Sequence, residues 1–226
     1  MKILALDTSA SACSVALLID DEIHLLHEID PMQQAKRVLP MVQELITAHG
    51  VGLTDLDALA FGCGPGSFTG VRIAASVMQG FSFASGVPLI KISSLAAVGQ
   101  AAYTDLGWKK LLVGIDARIS EVYWGIYQVD DSGLVKLSGQ EKVCAPQAIS
   151  IPDGNDWYAV GSAWGEYKEK LLATLPFTPL NIDATQLPVA SAIALLAKDK
   201  FLRNEFTMAE DAMPIYLRDN VAIKGK

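Results

Sequence analysis

The sequence is poor in the side chains from which stand-alone active sites are assembled, holding three histidines and three cysteines in 226 residues. His24, His27 and His49 make no HxxxH pair of the kind that aims two imidazoles at one metal from a helix. His24 and His27 fall in a predicted strand at odd separation, so their rings should project to opposite faces. Cys13, Cys63 and Cys144 are odd in number and far apart, which suits reduced, mostly buried thiols and neither a disulfide framework nor a zinc knuckle. Neither a GxSxG serine elbow nor an HExxH zinc motif occurs, so a peptidase would lack both nucleophile and metal.

Positive charge is scarce as well. Eighteen lysines and arginines stand against 25 aspartates and glutamates, for a net charge of -7. Neutralising phosphates needs clustered cations, and the runs Trp108-Lys109-Lys110 and Lys198-Asp199-Lys200 are too short to be a footprint. Uninterrupted apolar stretches are missing too: the densest, Ile73 to Ile90, is broken by Gln79, Gly80, Gly86, Pro88 and serines, so no membrane span is expected. Only four apolar residues separate Lys2 from Asp7, far short of a secretory signal, and the chain is expected in the cytoplasm.

Hydrophobic residues, by contrast, make up 51% of the chain, enough to fill one large or two small cores and suggestive of a further buried interface. The most distinctive stretch is FGCGPGSFTGVRIAASVMQGFSFASG, Phe61 to Gly86, a glycine-rich loop leading into an almost uncharged helix. It is not a Walker A loop, because Thr69 stands at the sixth position from Gly64 and no lysine follows. Nor is it a dinucleotide fingerprint, because Ser67 occupies the third glycine position. Two readings remain from the residues: anion binding by free helix N–H groups, and a tight turn capped by Ser67 or Thr69.

Apolar runs at Leu4–Asp7, Cys13–Ile19 and Glu22–Glu28 predict three strands in hairpin succession. The arrangement recurs in Leu111–Leu137, where Asp116 follows an apolar strand about 110 residues after Asp7, and repetition at half the chain length indicates two similar lobes. Helices are predicted at Gln34–His49, with Pro40 bending its first turn, and at Thr69–Ser85, Trp164–Leu175 and Val189–Leu202. Strands are predicted at Ala58–Phe61 and Trp157–Val160. The lobes divide as residues 1–105 and 106–226, with a linker near Tyr103–Lys110, and Pro176–Pro188 reads as irregular connection.

On the first of these helices Val38, Leu39, Met41, Val42, Leu45, Ile46 and Ala48 cover about 180°, and on the second Val71, Ile73, Ala74, Ala75, Val77, Met78, Gly80 and Phe81 cover about 220°, wider than a surface helix needs. Such helices are either central to their lobe or covered by a partner, and the pattern leaves both open.

Five ordered stretches resemble one family. The string GPGSFTGVRIA is similar to the GPGSFTGxRIG signature of the TsaB family, also called YeaZ, and LALDTSASACSVAL, RVLPMV, DARISEVYW and PIYLRDNVA are further matches along the chain. The resemblance implies a two-lobed, actin-like α/β fold (ASKHA, RNase H-like) with duplicated lobes. It implies a non-catalytic subunit of the complex that makes tRNA N6-threonylcarbamoyladenosine, activating a TsaD-type transferase that carries the HxxxH pair. A TsaE-type ATPase would complete the complex, and tRNA would be met through it. The same helix pair would bind the transferase or, in its absence, a second copy, which puts Gln34, Val38, Met41, Val42, Leu45, Val71, Ala74, Ala75, Met78 and Phe81 in the interface. Where many members carry His-Ser ahead of RxLP this chain has Gln34-Ala35, removing even a vestigial ligand.

No catalytic residue, metal site or cofactor of its own is expected, with ATP or ADP placed only at the interface within the complex. Asp7, Thr8 and Ser9 resemble a remnant of a first phosphate loop and read equally as a capped turn. Arg118 is either part of a hairpin that pairs charges across strands with Asp116 and Glu121, or a cleft residue approaching a nucleotide. The competing function is a stand-alone actin-like small-molecule kinase or ATPase, disfavoured because Asp116 is followed by Ala117-Arg118 and no Gly-Gly pair occurs.

Overall fold

The computed structural model describes residues 1–30 and 32–218. Its first sheet opens with an antiparallel meander, β1 (Lys2–Asp7), β2 (Ala12–Ile19) and β3 (Glu22–Ile29), followed by α1 (Gln34–Ala48), β4 (Ala58–Gly62), α2 (Phe68–Ser85) and β5 (Leu89–Ile92). The strand order is β3-β2-β1-β4-β5, with β4 and β5 parallel to β1. β1, β2 and β4 are covered on both faces, which is why they read as continuous apolar runs without alternation.

After α3 (Ser94–Leu106) the pattern repeats. β6 (Lys110–Arg118), β7 (Glu121–Val129) and β8 (Val135–Leu137) form the second meander, with β9 (Lys142–Cys144) also paired to β7. β10 (Tyr158–Val160) and β11 (Ile182–Asp183) join β6 in parallel, separated by α4 (Ala163–Glu166) and α5 (Lys168–Thr174), and α6 (Ala190–Leu202) follows. The order β11-β10-β6-β7-β8 reproduces the first sheet with β6 in the place of β1. The fold is therefore the two-lobed, duplicated α/β architecture that the resemblance implies.

Several boundaries differ from the sequence reading. β5 and α3 were not anticipated. α3 is capped by Ser93 Oγ, which accepts from Leu95 N at 3.1 Å, and it ends at Gly107 with φ +72°. Only Gly107–Lys109 then separates it from β6, so the expected linker at Tyr103–Lys110 is helix over its first half, to Leu106. The helix expected over Trp164–Leu175 breaks at Tyr167 into α4 and α5. α1 runs through Pro40, whose missing N–H falls on the exposed side. Of the PIYLRDNVA stretch, Pro214–Arg218 is irregular, and 219–222 lie outside the described residues.

The helices cross between lobes. α3 packs on β6, β7 and β8, whereas α6 packs on β1, β2, β4 and β5. The backbone N–H of Ala190 donates to Ser14 Oγ at 2.9 Å, and Leu89 and Thr207 exchange two backbone hydrogen bonds of 2.8 Å. Chain order places the strands of the first sheet before those of the second, but packing returns α6 and the segment after it to the first sheet. Strand alternation splits β1 accordingly: Ile3 and Ala5 face the core shared with α3 and α6, while Leu4 and Leu6 face α1 and α2.

Seating α2 requires glycine at its first turn. A Cβ on Gly70 would stand 1.9 Å from the backbone oxygen of Thr8, whereas at Gly80, in the middle of the same helix, it would meet nothing within 4 Å. Gly70→Ala is therefore expected to destabilise by ~3 kcal/mol through overpacking, and Gly80→Ala to stabilise by up to about 1 kcal/mol through helix propensity. Urea unfolding of the two variants checks this, and equal effects would contradict the seating of α2.

Candidate functional site

The glycine loop is structural over most of its length. Gly62, Cys63, Gly64 and Pro65 are buried, and their backbone is committed: Cys63 N–H donates to Ile92 O, Cys63 O accepts from Ile215 N–H, and Gly64 O accepts from Ser94 N–H, all within 2.8–2.9 Å. Ser67 Oγ caps α2 by accepting from Gly70 N–H at 3.3 Å, and Ser67 N–H donates to Ser9 O at 2.7 Å. The capped-turn reading holds, with Ser67 as the cap.

The loop closes over the turn Asp7-Thr8-Ser9. Asp7 Oδ1 accepts from Ser9 N–H at 2.8 Å and from Ser9 Oγ at 2.9 Å, and Ser9 Oγ lies 3.0 Å from Ser94 Oγ on α3. Thr8 Oγ donates to Gly70 O at 2.7 Å. The Asp7 carboxylate fills the space a side chain at Gly62 would need, its Oδ2 being 1.8 Å from where that Cβ would stand. All three residues are buried. Burial pushes the Asp7 pKa up from 3.8 to about 7, against the opposing hydrogen bonds from Ser9.

Between the lobes runs a cleft of about 820 Å³, walled on one side by Ser9, Gln34, Ser67 and Thr69 and on the other by Asp116, Arg118, Ser162 and Glu166. Of the four residues expected nearest a nucleotide, Ser9 and Arg118 line this cleft, while Asp7 and Thr8 lie behind it. Arg118 pairs with Asp116 at 3.0 Å, and its side chain is 85% exposed. Asp116 Oδ1 also accepts from Arg118 N–H at 2.8 Å and Tyr167 Oη at 3.2 Å. Asp116 is thus occupied by its own turn, and Glu121 pairs instead with Arg218. Charges do pair at this hairpin, but not across its strands.

Burial also raises the pKa of Cys63 to about 12 and of Cys13 to about 11, as fits unreactive core thiols. His24 on β3 contacts His49 beyond α1, with ring centroids 3.9 Å apart, a pairing the sequence did not signal. Among the described residues no group of three His, Cys, Asp or Glu side chains could hold one metal ion.

The helix faces require a correction. Val38, Met41, Val42, Leu45, Ala74, Ala75 and Met78, expected at a partner interface, are buried in the first lobe against β1, β2 and β4, and Val71 is buried beside Pro65 and Phe68. Gln34 and Phe81 remain partly exposed, and Gln34 Nε2 donates to Ala10 O at 3.0 Å. The wide apolar arcs are divided: the inner part is core, and the outer part presents Leu39 on α1 with Ile73, Val77, Gly80, Phe81 and Ala84 on α2. Both parts are apolar, so periodicity did not separate them.

The buried Asp7 makes a pH-dependent contribution. The fold keeps its proton to about pH 7, while the unfolded chain releases it near 3.8, so the stability from this group is fullest below about pH 4 and is lost as pH rises through about 7. Asp7→Asn, which keeps an acceptor for Ser9, should gain stability relative to wild type across that window in urea titrations. A difference independent of pH would show that Asp7 is ionised in the fold.

Comparison with known proteins bears on the whole chain. The family model described as TsaD, tRNA N6-adenosine threonylcarbamoyltransferase, matches residues 31–226. The tRNA threonylcarbamoyladenosine biosynthesis protein TsaB of Escherichia coli K12 is 38% identical, covering 99% of this chain and 97% of its own, and its Haemophilus influenzae counterpart is 37% identical over 99% and 96%. The structure of YeaZ from Pseudomonas aeruginosa superposes with a TM-score of 0.89 at 43% identity, covering 96% of this chain and 99% of that one. On this likeness over nearly its full length, the chain belongs to the TsaB (YeaZ) family and, through residues 31–226, to the wider family described by the TsaD model.

Proposed function

We propose that the chain is a non-catalytic subunit of the cytoplasmic machinery that makes tRNA N6-threonylcarbamoyladenosine, docking on a TsaD-type transferase through the outer faces of α1 and α2. The observation that carries this reading is the apolar strip left uncovered there. Leu39 is 51% exposed and Phe83 83%, and above Gly80 there is open space that lets a second helix approach closely. Covering such surface is worth about 25 cal/mol per Å² of apolar area, so the chain alone pairs with a second copy, and the transferase displaces it to form a one-to-one complex.

Docking acts on rate by favouring one conformation of the transferase, since a partner shifts an equilibrium only through its differential affinity for the two states. A TsaE-type ATPase completes the assembly, any ATP or ADP sits at a junction within it, and tRNA is met through the complex. The pathway reading is supported by the names of the two bacterial relatives. The acidic net charge supports a role in which another subunit holds most of the RNA.

The test separates docking from folding. Leu39→Glu and Gly80→Glu place charge on exposed positions, and the second also replaces a helix glycine, so melting should be unchanged or slightly improved. Calorimetric titration should show at least tenfold weaker binding to the TsaD-type partner, and nucleoside analysis should show less modified tRNA. Ala74→Glu or Met78→Glu, by contrast, should unfold the first lobe, because both positions are fully buried. Undiminished binding and modification with both outer-face variants would overturn the proposal.

A further inference from the structure

Three of the five arginines of this acidic chain, Arg72, Arg118 and Arg218, meet around one small cavity beside the β6–β7 hairpin. The cavity, about 200 Å³, is walled mainly by apolar groups, among them Pro65, Phe68, Val71, Tyr123 and Tyr216. It has room for about one large side chain. Phe68 and Tyr216 stand at its rim, 59% and 45% exposed, with ring centroids 6.3 Å apart. The Arg72 guanidinium lies 3.2 Å from the Phe68 centroid and 5.0 Å from that of Tyr216, a stacking that holds its planar fork in place.

The hairpin tip beside this cavity is held in an unusual conformation. Arg118, Ile119 and Ser120 have φ of +61°, +53° and +61°, a left-handed run with no glycine and with a β-branched residue at its centre. Arg218 supports it by donating to Ala117 O at 3.0 Å and by pairing with Glu121. The result fixes Ile119, 69% exposed, and the Arg118 side chain outward beside the cavity.

Charge identifies the occupant. Arg118 is neutralised by Asp116 and Arg218 by Glu121, while Arg72 has no carboxylate within salt-bridge distance among the described residues. The surplus is one fork-shaped cation beside an apolar hole. A polyphosphate chain would meet two carboxylates here and the field of a chain with net charge -7. From this we infer that the surface is a second docking site, for a peptide segment of a partner protein that seats an aromatic or aliphatic side chain in the cavity and sets a neighbouring carboxylate on Arg72. It does not depend on the docking of α1 and α2 proposed above and stands if that strip binds nothing.

The experiment is selection of a random hexapeptide phage library on the full chain, with Arg72→Gln as counter-target, followed by calorimetry with the synthetic consensus peptide. The expected result is a consensus pairing an acidic residue with an aromatic or aliphatic one. Its affinity should fall at least tenfold on Arg72→Gln, or when the anchor is changed to alanine, with chain melting unaltered and Arg72→Lys restoring only part of the binding. Failure of any consensus to emerge, a consensus without an acid, or equal binding by Arg72→Gln overturns the inference. So does arginine-dependent binding of a short RNA stem-loop that exceeds that of every selected peptide.

Discussion

The exchange of helices between lobes is the packing on which the rest of the molecule depends. Because α3 lies on the second sheet and α6 on the first, the apolar faces of both sheets are buried in one continuous core that includes Ile3, Ile90, Val98, Leu111, Val113 and Ile193. Neither lobe retains a complete core without the other's helix. Two separately packed lobes joined by a linker would hinge freely. Here the short connection Gly107–Lys109 and the return of Thr207 to the edge of β5 tie them together.

That constraint decides which surfaces remain for function. With the inner face of the first sheet taken by α6, its outer face is covered by α1 and α2, whose far sides are left at the surface. The position of α2 is then set closely at its N-terminus by Thr8 against Gly70 and by Ser67 on Ser9 O. The Asp7 turn lies buried behind the glycine loop and is bonded to Ser9, which contacts Ser94 on α3. The acidic turn thus serves as a joint between β1, α2 and α3, and the outer faces of α1 and α2 leave apolar side chains such as Leu39 and Phe83 at the surface.

Much of this was readable from the sequence, and the parts that were not have physical causes. The β1–β3 meander and its repetition announced themselves through apolar runs ending in acids, and α1 and α2 through helical periodicity. α3 was missed because residues 94–102, the part before its exposed last turn, are small and apolar on nearly every side and buried almost all round, so it carries no stripe. The crossing of α3 and α6 is a tertiary fact that no local pattern reports. The same limit hid which apolar positions of α2 are core: Ala74 and Ala84 are alike in the sequence, and only the sheet beneath α2 decides that one is fully buried and the other exposed. His24 and His49 meet for a similar reason, through the packing of β3 beside α1.

The most direct measurement of the central claim is hydrogen–deuterium exchange of the chain alone and mixed with the TsaD-type protein of the same cell. Docking through the outer helix faces predicts slower exchange in residues 34–48 and 68–85 on mixing, with the strands of the second sheet unchanged. Protection confined to residues 110–189, or none at concentrations where the two proteins modify tRNA together, would contradict it.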